Sequence, residues 1–263
     1  MTFPDQLGRI IEVDYPPRRI VSLVPSQTEL LYDLGLTDQV VGITKFCIHP
    51  EGWFRTKRRV GGTKHVNLEE VAALHPDLII GNKEENTKAD IEALAKQYPV
   101  WLSDILTLDN ALEMVRRVGE LVDRKENAAR LASQLKEQFQ SLSDEIAPLP
   151  RLRTAYFIWR NPYMVAAAGT FIHDMLARAG FDNVFEDQER YPEITLAELQ
   201  NLNPEVLLLS SEPYPFKEKH LEELREVLPE AKVRLVDGGL FSWYGSRLLR
   251  SSTYFRNLRD ILE

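Results

Sequence analysis

Apolar residues along this chain follow two alternating patterns. Short continuous apolar runs predict buried strands, and stretches whose apolar residues recur every three or four positions predict amphipathic helices. Ser26, followed three residues later by Glu29, has the pattern of a helix N-cap. The alternation of strands with helices predicts an α/β fold with mostly parallel sheets. The predicted strands are 19–25, 40–44, 77–81, 99–103, 154–159 and 232–236, and the predicted helices are 26–35, 68–75, 87–97, 170–179, 218–228 and 246–262.

One helix-and-strand block occurs twice. NLEEVAALHPDLII at 67–80 is matched by TLAELQNLNPEVLL at 195–208. In both copies a polar residue opens a short amphipathic helix, a proline ends it, and an apolar run follows as a buried strand. Two such blocks predict two similar α/β lobes, and the cleft that two lobes create is the expected place for function.

The middle of the chain predicts a long helix instead of a flexible linker. Between residues 100 and 147 there is no proline and one glycine, Gly119. Asp123 followed by Glu126 is a capping-box pattern, so we expect a break near Asp123 and a second helix over 124–146, about 34 Å long. The alternative is that this helix packs on one lobe only. The predicted organisation is an N-terminal lobe, a rigid connecting helix and a C-terminal lobe, at 1–122, 123–147 and 148–263.

Composition and charge argue against several classes of protein. The 263 residues are 44% hydrophobic and 27% charged, as in ordinary globular proteins, and the length suits two lobes. The net charge of −8 argues against nucleic acid or an anionic membrane as the main partner. No apolar stretch approaches the roughly 20 residues that span a bilayer. The single cysteine, Cys47, excludes an internal disulfide.

The segment DQLGRIIEVDYPPRRIVSLVPSQTELLYDLGL, followed by NLEEVAALHPDLII, resembles the helical-backbone solute-binding proteins of ABC importers. That group binds cobalamin, iron–siderophores, haem and metal ions, and PSQTEL and the NLEE helix look most like its cobalamin-binding branch. The resemblance implies a monomeric, non-enzymatic protein without a cofactor of its own. It also implies that a corrinoid or related metal chelate is held in the interlobe cleft and delivered to ABC permease membrane subunits. An iron–siderophore or haem is the alternative ligand.

The resemblance implies a periplasmic or cell-envelope location. Residues 1–13 lack the basic start and apolar core of a secretion signal, so either a signal was removed or the protein is cytoplasmic. A cytoplasmic metallocofactor sensor, or a tetrapyrrole-handling enzyme that uses Cys47, His49 and Glu84, is the alternative function. The motifs G-x-S-x-G, H-E-x-x-H and G-x-x-x-x-G-K-[ST] are absent from the sequence, and no catalytic residue is predicted.

Aromatic residues crowd the loops that follow the predicted strands. Ligands of open parallel sheets bind beyond the carboxyl ends of the strands, so this density favours a flat or bulky apolar ligand. Trp159, Phe241, Trp243 and Tyr244 are the strongest candidates for a binding wall. The alternative for any single ring is packing under its own loop. The other aromatic residues in these loops are Phe46, Trp53, Tyr163, Tyr214 and Phe216.

Cationic residues recur in the same loops and could hold carboxylates or phosphates of a ligand. They are Lys45, Lys64, Lys83, Arg160 and Arg247. Neutralisation by Glu84, Glu85 or Glu212 is the alternative. The predicted ligand-binding residues are Lys45, Phe46, Cys47, His49, Lys64, Lys83, Glu84, Trp159, Arg160, Tyr163, Phe241, Trp243, Tyr244 and Arg247.

Cys47 and His49 lie two residues apart, with Glu84 and Glu85 on a neighbouring loop. Thiolate, imidazole and carboxylate could bind a transition metal, or His49 could meet the metal of a ligand. The C-x-H pattern lacks the second paired element of a zinc site. Hydrogen bonding or packing is therefore the favoured role of Cys47 and His49, and no protein-ligated metal is predicted.

The resemblance also assigns candidate docking residues, because in the family a glutamate on each lobe pairs with arginines of the permease. Glu69 matches that position, but its counterpart in the second repeat is Ala197, with Glu198 one residue further. A helix turns about 100° per residue, so Glu198 points elsewhere unless the register shifts. Glu69 and Glu198 are the docking candidates, and solvated helix-start carboxylates are the alternative.

Overall fold

The computed structural model describes residues 1–262, which form two compact units. The first unit contains residues 1–105, 109–135 and 244–247, and the second contains the rest of the described chain. Each unit has its own mostly parallel sheet and its own helices, which confirms the predicted α/β class.

The strands and helices follow one another in the order that the apolar pattern predicts, with several short additions. From the amino terminus to the middle of the chain they are β1 (Thr2–Pro4), β2 (Ile10–Glu12), β3 (Ile20–Ser22), α1 (Pro25–Asp33), β4 (Val40–Ile43), α2 (Glu51–Thr56), β5 (Arg58–Arg59), α3 (Leu68–Ala73), β6 (Leu78–Asn82), α4 (Lys88–Ala95), β7 (Val100–Ser103), α5 (Leu108–Leu121) and α6 (Lys125–Ile146). From there on they are β8 (Leu152–Trp159), β9 (Tyr163–Val165), α7 (Phe171–Arg178), β10 (Phe181–Asn183), β11 (Glu193–Ile194), α8 (Leu196–Leu202), β12 (Val206–Ser210), α9 (Glu218–Val227), β13 (Lys232–Val236), α10 (Gly239–Ser242) and α11 (Leu248–Leu262).

The larger sheet of the first unit is wholly parallel, in the order β5-β4-β3-β6-β7. Strands β3, β6 and β7 are buried along their whole length, as expected for continuous apolar runs covered on both faces. The core joins Val21 and Ile79 of the central strands to Val71 of α3 and Leu94 of α4. The chain leaves β3 toward β4 and leaves β6 toward β7 on the other side. The carboxyl ends of β3 and β6 therefore form the topological switch point of this sheet.

The sheet of the second unit is mixed. Strands β10, β8, β12 and β13 run parallel, whereas β9 is antiparallel to β8 and β11 is antiparallel to β9. Its core contains Phe157 of β8, Leu207 and Leu209 of β12, Leu199 of α8 and Leu221 of α9. The parallel strands β8, β12 and β13 end on the same edge of the sheet, where the chain passes into the loops that carry the predicted aromatic residues.

The repeated block is confirmed as a pair of equivalent elements, α3–β6 in the first unit and α8–β12 in the second. Asn67 caps α3 through its side chain, and Thr195 caps α8 in the same way. The residues that follow the two helices are also equivalent. His75 has a φ of 43° and Asn203 a φ of 44°, so both copies end in a left-handed residue before the proline.

The helical middle of the chain also has the predicted break. Asp123 lies in the left-handed region with a φ of 56°, and α6 begins two residues later. The break is therefore where the sequence predicts it, but Asp123 lies one residue before the cap position and is not the predicted capping residue. Gly119 lies where α5 meets the start of α6. A Cβ atom at that position would be 2.1 Å from the Cβ of Ala128, so a larger residue does not fit without a shift of the backbone. Residues of α6 up to 135 belong to the first unit, and those from 136 belong to the second.

Some local predictions are wrong. Ser26 is not the cap of α1, because the helix begins one residue earlier at Pro25, with Val24 as an N-cap that makes no side-chain bond. Proline suits a first helical position, where its missing N–H needs no partner. The short strands β9, β10 and β11 carry too little apolar pattern to be predicted. Within the described chain, no helix combines the length and the apolar character that a membrane crossing requires.

Candidate functional site

A polar network fills the switch point of the first unit. The Gln27 amide donates to Ser103 Oγ at 2.6 Å, and Asn82 Nδ2 donates to the same oxygen at 2.9 Å. Asn86 Nδ2 donates to the carbonyl oxygens of Leu23 at 3.4 Å and Thr63 at 3.0 Å. These side chains are buried, and their mutual bonds fix the loops that leave β3 and β6. The network therefore holds the strand-end loops in place and leaves the more exposed residues beside it to meet a ligand.

Phe46 is the main exposed apolar residue at the carboxyl end of β4. Its side chain is 51% exposed, and the Lys45 ammonium lies 5.1 Å from the centroid of its ring. A Cβ atom at Gly62 would lie 3.2 Å from the Phe46 ring, so the ring packs against backbone. Lys45 and Phe46 thus form an exposed cation–aromatic surface of the kind the sequence predicts for a ligand wall.

Cys47 and His49 lie in different environments. Cys47 is fully buried, with Sγ 3.1 Å from Thr28 Oγ1 and 3.1 Å from Thr44 Oγ1. Burial raises the pKa of the Cys47 thiol, so it stays protonated near neutral pH. His49 is exposed. Over residues 1–262, no group of three or more histidine, cysteine or acidic side chains is placed to hold a metal ion.

The other two candidate lysines of the first unit contact groups of the protein itself. Lys83 Nζ lies 2.6 Å from the Asp104 carboxylate, and Lys64 Nζ donates to the backbone carbonyl of Glu84. The Glu84 backbone N–H donates to Asn82 Oδ1 at 2.8 Å, which fixes the turn after β6. Both ammonium groups remain exposed. A ligand that binds them would have to displace the contacts that they now make.

Arg247 pairs with Glu29 inside the first unit. Its Nε and Nη2 atoms donate to the two carboxylate oxygens at 2.8 and 2.9 Å. The two side chains are only 10% and 11% exposed. Tyr244 is buried on the same segment, and this burial raises its pKa well above the usual value. The structure therefore places Tyr244 and Arg247 within the packing of this unit, and the pairing with Glu29 is a contact that sequence reasoning missed.

Trp159 is the most exposed aromatic residue among the strand ends of the second unit. It is the last residue of β8 and 40% of its surface is exposed. The Tyr214 ring stands edge-on to it, with ring centroids 5.6 Å apart and an interplanar angle of 70°. Tyr214 in turn packs against Phe216, with centroids 4.7 Å apart. The contact with Tyr214 orients the Trp159 indole while leaving much of it exposed.

Arg160 and Tyr163 converge on Glu223 of α9. Arg160 Nη2 lies 2.8 Å from the Glu223 carboxylate, and the Tyr163 hydroxyl donates to it at 3.4 Å. Hydrogen bonding to Tyr163 and the charge of Glu223 raise the pKa of Arg160, whereas burial raises the pKa of Tyr163. The cation that follows β8 is thus already neutralised by a glutamate that the sequence did not single out.

Trp243 and Phe241 have opposite environments although they are two residues apart. Trp243 is half-buried, and its Nε1 donates to Glu212 Oε1 at 2.8 Å. Phe241 is completely buried and packs on Tyr156 and Phe255, with centroids 5.0 and 4.6 Å away. Trp243 therefore remains partly accessible near the strand ends, whereas Phe241 is part of the core.

The two docking candidates also differ. Glu69 is exposed, and no described residue pairs with it. Glu198 accepts from the Thr195 N–H at 2.7 Å and from its hydroxyl at 2.8 Å, and these bonds lower its pKa. The neighbouring Glu70 forms a two-pronged pair with Arg58, which lowers the pKa of Glu70. The Glu69 carboxylate thus keeps its hydrogen-bonding capacity, whereas that of Glu198 is used within its own helix cap.

Comparison with known proteins places this geometry in a family. The model of the family described as periplasmic binding protein matches residues 20–230. The vitamin B12-binding protein of Vibrio campbellii is 24% identical over 197 residues, covering 74% of this chain and 71% of its own length. The vitamin B12-binding protein of Yersinia pestis is 26% identical over 194 residues, covering 73% and 69%.

Solved structures share the fold. The periplasmic vitamin B12-binding protein BtuF of Vibrio cholerae superposes with a TM-score of 0.82 at 22% identity, covering 94% of this chain and 98% of that one. The periplasmic haem-binding protein RhuT of Roseiflexus sp. RS-1 gives a TM-score of 0.79 at 20% identity, covering 94% and 99%. The fold agrees with the family match, which extends over most of the sequence. The chain is therefore a member of the periplasmic binding protein family.

Proposed function

We propose that this protein binds a corrinoid and delivers it to an ABC importer of the bacterial envelope. Support comes from its family and from relatives that are named vitamin B12-binding proteins. The observation that carries the choice of ligand is the exposed Trp159 indole at the end of β8, held edge-on by Tyr214. A flat, rigid aromatic face at a strand end suits a planar macrocycle.

A second aromatic side chain of the same unit supports this choice. Trp243 adds a half-buried indole in the second unit. In this proposal the aromatic faces supply most of the affinity, and polar groups orient the ligand. The protein performs no chemistry on the ligand and has no cofactor of its own. A corrinoid recovered after prolonged incubation with the protein should therefore have an unchanged mass and absorption spectrum.

Titration calorimetry with dicyanocobinamide and cyanocobalamin tests the ligand. We expect Trp159→Ala to weaken binding about 30-fold, the loss of about 2 kcal/mol that an aromatic anchor typically contributes. Trp243→Ala should weaken binding as well. Ile261→Ala, which truncates a 63% exposed side chain near the end of α11, is the control and should bind like the parent protein.

The titration can refute the corrinoid as the ligand without refuting the solute-binding role. Haemin and a ferric hydroxamate are measured beside the corrinoids. Binding of haemin or the hydroxamate without either corrinoid keeps the solute-binding role and refutes the corrinoid. Absence of heat with every chelate refutes the proposal as a whole.

We propose that the protein docks onto its permease through Glu69 rather than through Glu198. Glu69 is exposed at the first turn of α3, while the Glu198 carboxylate is engaged in its capping box. Transport into vesicles that contain the permease should fall with Glu69→Gln and should not fall with Glu126→Gln, another exposed first-turn carboxylate of the first unit. Equal transport by both variants would refute this role of Glu69.

A further inference from the structure

One loop of the second unit contacts both tryptophans of that unit. The loop at 211–217 joins β12 to α9. Its Tyr214 stands edge-on to Trp159 with ring centroids 5.6 Å apart, and its Glu212 accepts the Trp243 indole N–H at 2.8 Å. A change in this loop would therefore affect both aromatic faces that the proposed function assigns to the ligand.

Glu212 is held firmly in this loop. Its Oε1 accepts a second hydrogen bond from Ser242 Oγ at 2.9 Å, and its backbone N–H donates to Ser210 Oγ at 3.2 Å. Gly238 packs against the side chain, since a Cβ atom there would lie 2.7 Å from Glu212 Cγ. The carboxylate thus has a fixed position, and both of its side-chain donors bind the same oxygen. Within residues 1–262, no donor is bound to Oε2.

Carboxylates follow two of the three neighbouring parallel strands at this edge of the sheet. The parallel strands β8, β12 and β13 are followed by Arg160, Glu212 and Asp237 respectively. The Arg160 guanidinium lies 2.8 Å from the Glu223 carboxylate, so its charge is already balanced. The Asp237 carboxylate accepts from the Gly239 N–H at 3.0 Å and remains at an exposed position. A ligand at this edge of the sheet therefore meets the Glu212 carboxylate, which forms no ion pair within residues 1–262, beside the Trp243 indole.

We propose that Glu212 selects the chemical class of macrocycle, favouring one with amide side chains over one with carboxylate side chains. This inference rests on the proposed function and deepens it. An ionised carboxylate only accepts hydrogen bonds, so the open Oε2 matches the N–H groups of primary amides. A ligand carboxylate at the same place would meet a like charge and lose part of its hydration. Glu212 also positions Trp243 through the indole N–H.

A matched pair of corrinoids tests the charge effect. Dicyanocobinamide carries amide side chains, and dicyanocobyrinic acid carries carboxylates on the same ring and metal. We expect the parent protein to bind cobinamide more tightly than cobyrinic acid. Glu212→Gln should reduce the ratio of the dissociation constant of the acid to that of cobinamide about tenfold, mainly by tighter binding of the acid. Gln keeps an oxygen that accepts from Trp243, so the indole should stay in place. Glu226→Gln removes the same charge from an exposed position on α9 and should leave the ratio unchanged.

A second variant separates charge from position. Trp243→Phe removes the indole N–H and leaves Glu212 charged, so both affinities should fall while their ratio stays the same. If cobinamide binds but Glu212→Gln, shown by its thermal melt to be folded, leaves the ratio unchanged, this inference is wrong and the proposed function stands. A ratio that changes in Trp243→Phe but not in Glu212→Gln also overturns the inference. If the parent protein binds neither corrinoid, both proposals fail.

Discussion

The buried pair between Arg247 and Glu29 predicts that Arg247 stabilises the first unit and does not hold the ligand. Arg247→Met keeps most of the apolar stem and removes the guanidinium. The Glu29 carboxylate then remains 11% exposed and loses both of its hydrogen bonds from Arg247, made at 2.8 and 2.9 Å. Removing one partner of a buried pair costs about 3–5 kcal/mol, and the slight access of water favours the lower end. We expect the free energy of unfolding to fall by about 3 kcal/mol.

Urea unfolding, followed by tryptophan fluorescence and circular dichroism, measures this loss. Adding Glu29→Gln to Arg247→Met removes the stranded charge and should recover about 2 kcal/mol. Glu29→Gln alone completes the double-mutant cycle that gives the coupling. Arg55→Met is the matched control, because its pair with Glu51 is 73% and 71% exposed, and its stability should not change measurably. A stable Arg247→Met protein that no longer binds cobinamide would refute this reasoning and return Arg247 to the ligand site.

Three further predictions concern stability, each measured by urea denaturation. His220 accepts the Lys217 N–H through Nδ1 at 2.9 Å, and burial lowers the pKa of His220. The contribution of neutral His220 to stability should therefore be complete above about pH 6.5 and should fall, by at most about 1.4 kcal/mol per pH unit, as the pH drops toward the lowered pKa. His220→Gln keeps an acceptor and should lack this pH dependence. An unaltered pH profile in that variant contradicts the assignment. Gly119→Ala should cost about 2 kcal/mol, because the new Cβ would lie 2.1 Å from that of Ala128, and Ala128→Gly should restore the loss; failure of the rescue counts against the contact. Arg259→Met should cost about 2 kcal/mol, because it strands the buried Gly180 carbonyl, which accepts at 2.6 Å, and removes the 2.7 Å bond to the carbonyl of the exposed Pro150. Full rescue by lysine would show that the fork geometry is unimportant.

The aromatic residues show how far the site could be predicted from the sequence. Trp159 is the last residue of a predicted strand, and the other three strongest candidates follow another strand, since residue order along the chain also fixes which loop comes next. Exposure separates them only in the folded chain, where Trp159 is 40% exposed and Phe241 is fully buried. No local pattern distinguishes two aromatic residues near strand ends, because the difference depends on whether a helix such as α11 packs over them.

Charged residues show the same limit more strongly. The sequence predicts that lysine and arginine after strands face an anionic ligand, with Glu84, Glu85 and Glu212 as the alternative neutralising groups. In the structure Lys83 pairs with Asp104, Arg160 with Glu223, and Arg247 with Glu29, which is 218 residues away. Such partners are chosen by distance in space, so sequence neighbourhood identified none of them.

The sequence by itself determined the α/β class, the order of the main elements, the repeated helix–strand block and the break before α6, because periodicity, capping residues and prolines act over a few positions. Tertiary structure alone decided the strand order and the short antiparallel strands. It also decided the burial of Cys47, Phe241 and Tyr244 and the hydrogen bond from Trp243 to Glu212. The physical reason is the range of the interactions. Backbone conformation responds to neighbours along the chain, whereas burial and charge pairing depend on segments that only folding brings together.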